Sequence, residues 1–263
     1  MPAVFDSDEF NHSLFFPRAD ASEPPPGAED RFVELGAVRV HVRCHGAATS
    51  RCTLLLFHGN GEVVADYDDA AERFAELGVA LAVAEYRGYG ASSGVPTLRD
   101  LIGDARPIAG AVPGAPLIVM GRSLGSAAAH ELFAHPVDGM AGVVLESAFY
   151  DLGGLVRRRG LTPPAAFTDD ERATFEPAGK LRVGRLPLLV LHGARDTLID
   201  PREAAAAHDT ATAASDRRLV LVEGRGHNDL AGAETYWRAL GAFIDRVIGG
   251  SPDGSRATPG PAS

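Results

Sequence analysis

The sequence has little cysteine, and its acidic residues outnumber its basic ones. The 263 residues include two cysteines, Cys44 and Cys52, which are too few for a disulfide framework and have no histidines at metal-ligand spacing. The formal net charge of -10 argues against a nucleic-acid or anionic-membrane binder, because phosphate-rich partners require clustered Lys and Arg. We therefore expect a reducing, cytoplasmic setting, no metal and no nucleic-acid partner.

Long hydrophobic runs are also absent. The first sixteen residues, MPAVFDSDEFNHSLFF, lack the basic start and apolar centre of a signal peptide. No apolar run approaches the length that spans a bilayer. The sequence predicts neither export nor a transmembrane segment.

The hydrophobic content of 45% is enough for one sizeable core, and the composition changes divide the chain around it. The Pro-rich stretch 19–30 predicts an irregular lead-in on the surface, outside the sheet. The rhythm of strands and helices breaks again where charges and prolines collect, which indicates an insertion over one end of the sheet. The predicted parts are a partly irregular lead-in (1–31), a core (32–149 and 185–249), a small cap insertion (150–184) and a disordered tail (250–263).

Hydrophobic periodicity predicts an α/β fold. Residues 38–44 alternate, with Arg39, His41 and Arg43 on one face, as is typical of a half-exposed strand. Six later runs are apolar on both faces, which favours buried parallel strands, at 53–57, 79–85, 117–121, 142–148, 186–193 and 218–224. Helical spacing recurs between them, at 66–77, 126–135 and 235–248 among others. We expect a mostly parallel, doubly wound sheet of about eight strands flanked by helices.

The pentapeptide GRSLG, residues 121–125, lies between one of these runs and a helix. A GxSxG match is common by chance in a chain with 30 glycines, but this placement is the context that the motif requires. Gly121 and Gly125 allow a sharp strand-to-helix turn that exposes Ser123 at the carboxyl edge of the sheet. Ser123 is the predicted nucleophile, and the alternative is an idle hydroxyl in a tight turn.

A serine nucleophile needs a base and an acid that orients the base. His208 and His227 both come late in the chain, but His208 lies mid-helix whereas His227 follows a strand in a glycine-containing loop, so His227 is the predicted base. Asp196 follows the preceding strand and is the predicted acid. The competing carboxylates are Glu146, Asp151 and Asp200, each of which has an alternative as a helix cap or a loop charge.

The segment HGNGE, residues 58–62, ends another predicted strand. Its glycines let the backbone approach a substrate, so the N–H groups of Asn60 and Leu124 are the predicted oxyanion donors. The alternative is a plain turn. His58 and His192 are expected to have structural roles.

Together these motifs resemble the serine hydrolases of the α/β-hydrolase fold superfamily, over roughly residues 32–248. HGNGE is similar to the oxyanion loop, YRGYGASSG (86–94) to the turn after the next strand, GRSLG to the nucleophile elbow, HGARD to the acid loop and GHND to the histidine loop. The resemblance implies Ser123, Asp196 and His227 as the catalytic triad and Asn60 and Leu124 as oxyanion donors. Within the superfamily, the motifs are most similar to the branch that includes peptidase-like, lysophospholipase-like and depalmitoylase members.

The resemblance implies a carboxylic ester hydrolase that acts through an acyl-enzyme on a small-molecule or acyl substrate, without a cofactor. The alternatives are a thioesterase, a peptidase-like amidase, and a non-catalytic binding scaffold with the same fold. Arg122 and Glu62 depart from the usual residues and are candidates for substrate contact. The arginines at 157–159 either meet an anionic group or lie on a solvated helix face. A homo-oligomer is compatible with the sequence.

Overall fold

The computed structural model describes residues 3–46, 49–114 and 116–249. These residues form one eight-stranded sheet in the order β1-β2-β4-β3-β5-β6-β7-β8. Strand β2 is antiparallel to both of its neighbours, and the pairs from β4 to β8 are parallel. The predicted mostly parallel sheet of about eight strands is confirmed. The strands are β1 (Ala28–Leu35), β2 (Val38–His45), β3 (Cys52–Phe57), β4 (Val79–Ala84), β5 (Leu117–Arg122), β6 (Met140–Glu146), β7 (Leu188–Gly193) and β8 (Arg217–Val222).

Helices cover both faces of the sheet. Side chains along a strand alternate between the two faces of the sheet, and both faces of the central strand β3 are apolar. Leu55 and Phe57 belong to a hydrophobic cluster on one face, and Leu54 and Leu56 belong to a second cluster on the other. The first cluster packs against α1, α3, α4 and α8, and the second against α2 and α9. The helices are α1 (Asp8–Leu14), α2 (Ala71–Glu76), α3 (Leu98–Ala111), α4 (Ser126–Ala134), α5 (Leu152–Arg158), α6 (Asp169–Phe175), α7 (Pro177–Val183), α8 (Pro201–Thr210) and α9 (Glu234–Gly249).

Two strand predictions need correction. Alternation predicts a half-exposed β2, but His41 and Arg43 are buried. The Arg43 guanidinium bonds to Asp30 and Asp68 at 2.7 and 3.0 Å, so ion pairs cover the polar face that alternation assigns to solvent. The apolar run of β8 predicts burial on both faces, but β8 is an edge strand on which Leu221 is 40% exposed.

Two boundary predictions also change. Residues 28–31, assigned to the lead-in, begin β1, because their backbone pairs with residues 42–45 of β2. The helix predicted over 66–77 is a 3-10 turn, Val64–Tyr67, followed by the shorter α2. The helices predicted at 126–135 and 235–248 are present as α4 and α9 within one residue at each end.

The lead-in is anchored in the protein and is only partly irregular. Phe5 and Phe10 are fully buried, and Ser7 caps α1 by accepting the N–H of Phe10. The Phe5 ring lies 5.3 Å from Phe167 and 4.8 Å from Phe175 between ring centroids. The segment before the sheet therefore packs against the segment predicted as a cap.

Residues 150–184 contain α5, α6 and α7, and α7 packs against α4. The tail predicted at 250–263 lies outside the described residues. Within the described ranges, none of the helices combines the length and the apolar character that crossing a bilayer requires.

We predict that Phe5→Ala lowers the free energy of unfolding by about 3–5 kcal/mol, because it removes a fully buried ring between two chain segments. Val95→Ala is the control, since Val95 is 72% exposed, and we expect a change of about 0.5 kcal/mol or less. Urea denaturation measures both values. Equal, small losses would show that the lead-in contributes nothing to the core.

Candidate active site

The turn after β5 places Ser123 in an uncommon backbone conformation, with φ of +50°. Such a conformation is strained for a residue other than glycine and persists where the surroundings enforce it. A Cβ on Gly121 would lie 2.6 Å from the Cβ of Ala129, and one on Gly125 would lie 2.1 Å from the carbonyl oxygen of Phe57. Only glycine fits at these two positions, which is the constraint that the GxSxG spacing predicts.

Ser123, His227 and Asp196 form a continuous hydrogen-bonded chain. His227 Nε2 lies 2.9 Å from Ser123 Oγ, and His227 Nδ1 lies 2.7 Å from Asp196 Oδ2. An ionised carboxylate only accepts hydrogen bonds, so Nδ1 carries the proton and Nε2 accepts from the serine hydroxyl. The arrangement can remove a proton from Ser123 and stabilise the positive charge that forms on the imidazole.

Asp196 is held as a carboxylate in the interior. Its Oδ1 accepts the backbone N–H groups of Leu198 and Ile199 at 2.8 and 2.9 Å. Burial opposes the charge, but hydrogen bonds from His192, His227 and Ile199 outweigh it and hold the pKa of Asp196 well below its usual value. His192 Nε2 lies 3.1 Å from Asp196 Oδ2 and 2.9 Å from the Ile199 carbonyl oxygen, so it supports the acid.

The competing acids and bases have other partners. Asp151 caps α5 and Asp200 caps α8, each by accepting a backbone N–H. Glu146 accepts the Tyr236 hydroxyl at 2.7 Å, and His208 lies on α8 beside Asp209. None of these four residues joins the described hydrogen-bonded chain around Ser123.

The structure shows a second support for His227 that the sequence did not indicate. Ser147, directly after β6, has φ of +46° and is fully buried. Its hydroxyl donates to the carbonyl oxygen of His227 at 3.2 Å. No sequence motif marks Ser147, because its role depends on the meeting of two loops that are distant in the chain.

The predicted oxyanion donors line the same cavity as Ser123. Leu124 lies in the first turn after β5, where backbone N–H groups have no partner within the helix. The Asn60 side chain fixes its own loop: Oδ1 accepts the Phe16 N–H at 3.0 Å and the Tyr89 hydroxyl at 2.7 Å, and Nδ2 donates to the Leu14 carbonyl oxygen. The lead-in therefore holds the loop that carries the Asn60 N–H.

Arg122 and Glu62, the candidates for substrate contact, both line the cavity but are bonded to each other. The Arg122 guanidinium also lies 3.2 Å from Glu146 and donates to Asn228 Oδ1 at 3.0 Å. Burial opposes its charge, yet the two carboxylates prevail and raise the pKa of Arg122. Arg122 thus joins the oxyanion loop, the serine turn and the histidine loop.

The cavity that contains Ser123 measures about 210 Å³. The predicted insertion, residues 150–184, supplies part of its wall, and the lead-in supplies another part that the sequence motifs did not indicate. Its apolar wall consists of Leu14, Phe16, Leu124, Phe149, Leu155, Leu198 and Ile199, and Arg158 and Arg159 lie beside them. A larger cavity, about 520 Å³, lies at the opposite edge of the sheet near Cys52 and Gly114 and contains none of these residues.

Comparisons with known proteins agree with this architecture. An esterase of Pyrococcus furiosus has a TM-score of 0.70 at 16% identity, covering 89% of this chain and 99% of that chain. The esterase Est1E of Butyrivibrio proteoclasticus, solved with ferulic acid, has a TM-score of 0.67 at 16% identity, covering 84% and 100%. The chain has the α/β-hydrolase fold. The fold expected from the sequence motifs is confirmed for this α/β-hydrolase-fold protein.

Sequence comparisons add one family model and several curated relatives to which the chain is similar. A family model described as "Serine aminopeptidase, S33" matches residues 48–169, a range that contains Ser123 but neither Asp196 nor His227. The mouse alpha/beta hydrolase domain-containing protein 17C is 29% identical over 222 residues, covering 79% of this chain and 63% of that protein. The human protein of the same name is also 29% identical, with 61% of its length covered. The chain thus spans about three fifths of the length of these curated relatives.

We predict that Arg122→Met destabilises this α/β-hydrolase-fold protein by about 3–5 kcal/mol, because it leaves the carboxylates of Glu62 and Glu146 without their shared cation. Lowering the pH should recover part of the loss, because burial raises the pKa of Glu146 and its protonated carboxyl carries no unpaired charge. Urea denaturation of Arg122→Met at two pH values measures both effects.

The matched control is Arg157→Gln, since Arg157 is 61% exposed in a pair with Asp151, and it should change stability by about 0.5 kcal/mol or less. Equal effects of the two substitutions would contradict a structural role for the Arg122 network.

Proposed function

We propose that this protein is a serine hydrolase that cleaves an ester-type acyl bond. The observation that carries the proposal is the chain from Ser123 through His227 to Asp196, with contacts of 2.9 and 2.7 Å. The strained serine turn and the lowered pKa of Asp196 support it. The similarity to esterases of the same fold agrees with an ester substrate.

In the proposed first step, Ser123 Oγ attacks the acyl carbon while His227 Nε2 takes the hydroxyl proton. The Asp196 carboxylate stabilises the imidazolium through Nδ1–H. The negative charge on the former carbonyl oxygen rests on the N–H groups of Asn60 and Leu124, and each donor of this kind contributes roughly 3 kcal/mol in the transition state.

The intermediate then collapses as His227 returns its proton to the leaving alcohol, which leaves an ester between the acyl group and Ser123. Water, deprotonated by His227, attacks this acyl-enzyme, and the acid is released as Ser123 recovers its proton. The residues named here supply all of the proton transfers.

Thioester and amide substrates would follow the same steps with a different leaving group. An amide is the second candidate substrate, because the matching family model is named for a serine aminopeptidase. A panel of short-chain esters, long-chain esters, acyl thioesters and aminoacyl amides separates these substrates. A non-catalytic scaffold is disfavoured, because binding alone does not require a serine, a histidine and a carboxylate in hydrogen-bonded order.

We predict that Ser123→Ala lowers kcat for 4-nitrophenyl butyrate by at least about 10⁴-fold, because the acyl-enzyme can no longer form. The unfolding midpoint should change little, since the replacement removes one hydroxyl. Release of 4-nitrophenolate measures the rate, and circular dichroism measures the midpoint. Unchanged turnover in a folded variant would refute the assignment of Ser123.

We predict that Asp196→Asn lowers kcat by about 10⁴-fold, because an amide at this position favours the wrong imidazole tautomer. The comparison variant is Asp200→Asn, which keeps a capping oxygen at the start of α8 and should leave kcat within about twofold. Steady-state kinetics with the same ester measures both. Equal rates in the two variants would contradict the role of Asp196.

A further inference from the structure

The three consecutive arginines at 157–159 have different surroundings. Arg157 is exposed and bonds to Asp151 at 2.7 Å, outside the cavity of Ser123. Arg158 and Arg159 both line that cavity. The sequence left two alternatives for these arginines, contact with an anionic group or a solvated helix face. The solvated face describes only Arg157.

Arg158 is a fixed donor in the cavity wall. Its Nη1 bonds to Glu203 Oε1 at 2.7 Å. The other oxygen of Glu203 accepts the backbone N–H groups of Tyr150 and Asp151, so the carboxylate is itself held in place. Arg158 Nη2 is buried and has no hydrogen-bond partner among the residues that the structure describes. One donor of this guanidinium is therefore left for another group.

Arg159 is the cavity arginine without an acidic partner. Arg122 and Arg158 each pair with a carboxylate, but no Asp or Glu of the described chain lies within 4.0 Å of the Arg159 nitrogens. Its Nε is buried without a partner, and Nη1 has one long contact, 3.5 Å, to the Ser13 carbonyl oxygen. Burial and the neighbouring Arg158 lower the pKa of Arg159, and the guanidinium carbon lies 5.9 Å from the centroid of the Phe16 ring.

We propose that Arg159, assisted by Arg158, binds an anionic group of the substrate, a carboxylate or a phosphate, in the cavity of Ser123. This rests on the proposed function, because it assigns the substrate class of the same site. Guanidinium groups bind carboxylate and phosphate through paired, charge-assisted hydrogen bonds. A buried donor without a partner is costly, and each of these two arginines on the wall of the cavity has one such donor that an anion would satisfy.

The cavity also limits the size of this substrate. Its volume of about 210 Å³ lies below the range of roughly 300–1,000 Å³ typical of drug-sized ligands. Apolar residues such as Phe149 and Leu155 line the same wall. The substrate that fits is a short acyl ester with an apolar linker and an acidic end.

The experiment compares kcat/KM for matched pairs of esters. One pair is 4-nitrophenyl hydrogen glutarate and its neutral methyl ester, and the other is 4-nitrophenyl 4-phosphonobutanoate and its neutral dimethyl ester. Ser123→Ala supplies the background rate. We expect the wild-type protein to prefer the acidic member of at least one pair by about tenfold, and the larger preference identifies the anion.

Arg159→Gln should lower this preference about tenfold, and Arg159→Lys should retain part of it because the charge remains. Arg157→Gln is the matched control and should leave the preference unchanged. Thermal unfolding of each variant shows that the fold is intact. Equal or faster hydrolysis of the neutral esters by the wild-type protein would overturn the proposal, as would an equal effect of Arg157→Gln.

A binding measurement separates this proposal from the proposed function. Calorimetry with glutarate and with inorganic phosphate reports on the anion site without turnover. Binding that weakens at least tenfold in Arg159→Gln supports the site even where no ester is hydrolysed. Ser123-dependent hydrolysis of the esters without a preference for the acidic members would refute the anion site and leave the hydrolase assignment standing.

Discussion

The backbone of Ser123, held at φ of +50° between β5 and α4, is the constraint on which the rest of the site depends. The turn is possible because Gly121 and Gly125 have no Cβ. Helix α4 packs against Gly121, and the end of β3 packs against Gly125, at distances that a side chain would prevent. Strand β5 is central in the sheet, so both hydrophobic layers support this strained position. The two flanking parallel strands bring further loops to the same edge.

Charged groups that are only partly exposed connect those loops. Arg122 joins Glu62, Glu146 and Asn228, which belong to three separate parts of the chain. Glu62 in turn accepts the Gly59 N–H at 2.7 Å, and Asn228 follows His227 directly. A buried ion pair adds little net stability. It does fix the relative positions of its partners, since loss of either partner leaves an unpaired charge. The network suits the proposed site, in which the Asn60 N–H and His227 keep fixed positions relative to Ser123.

Local periodicity and motifs at strand ends were sufficient to predict the parallel core and the turn at Ser123, and the strand order brings His227 and Asp196 to that turn. Residues whose roles depend on distant partners were not predictable. Arg43 alternates like a surface residue but is buried by Asp30 and Asp68, and β8 is apolar enough for a core strand yet lies at the edge. Leu14 and Phe16 line the cavity, and the Asn60 side chain bonds to the backbone of both residues.

To test most directly whether Ser123 is an activated nucleophile, the native protein is treated with a fluorophosphonate and the modified residue is identified. Peptide mapping by mass spectrometry after labelling locates the adduct. We expect one adduct, on Ser123, which is strongly reduced in His227→Gln because the base that activates the serine is gone. Labelling at another residue, no labelling of the folded protein, or equal labelling of the His227→Gln variant would contradict this role of Ser123.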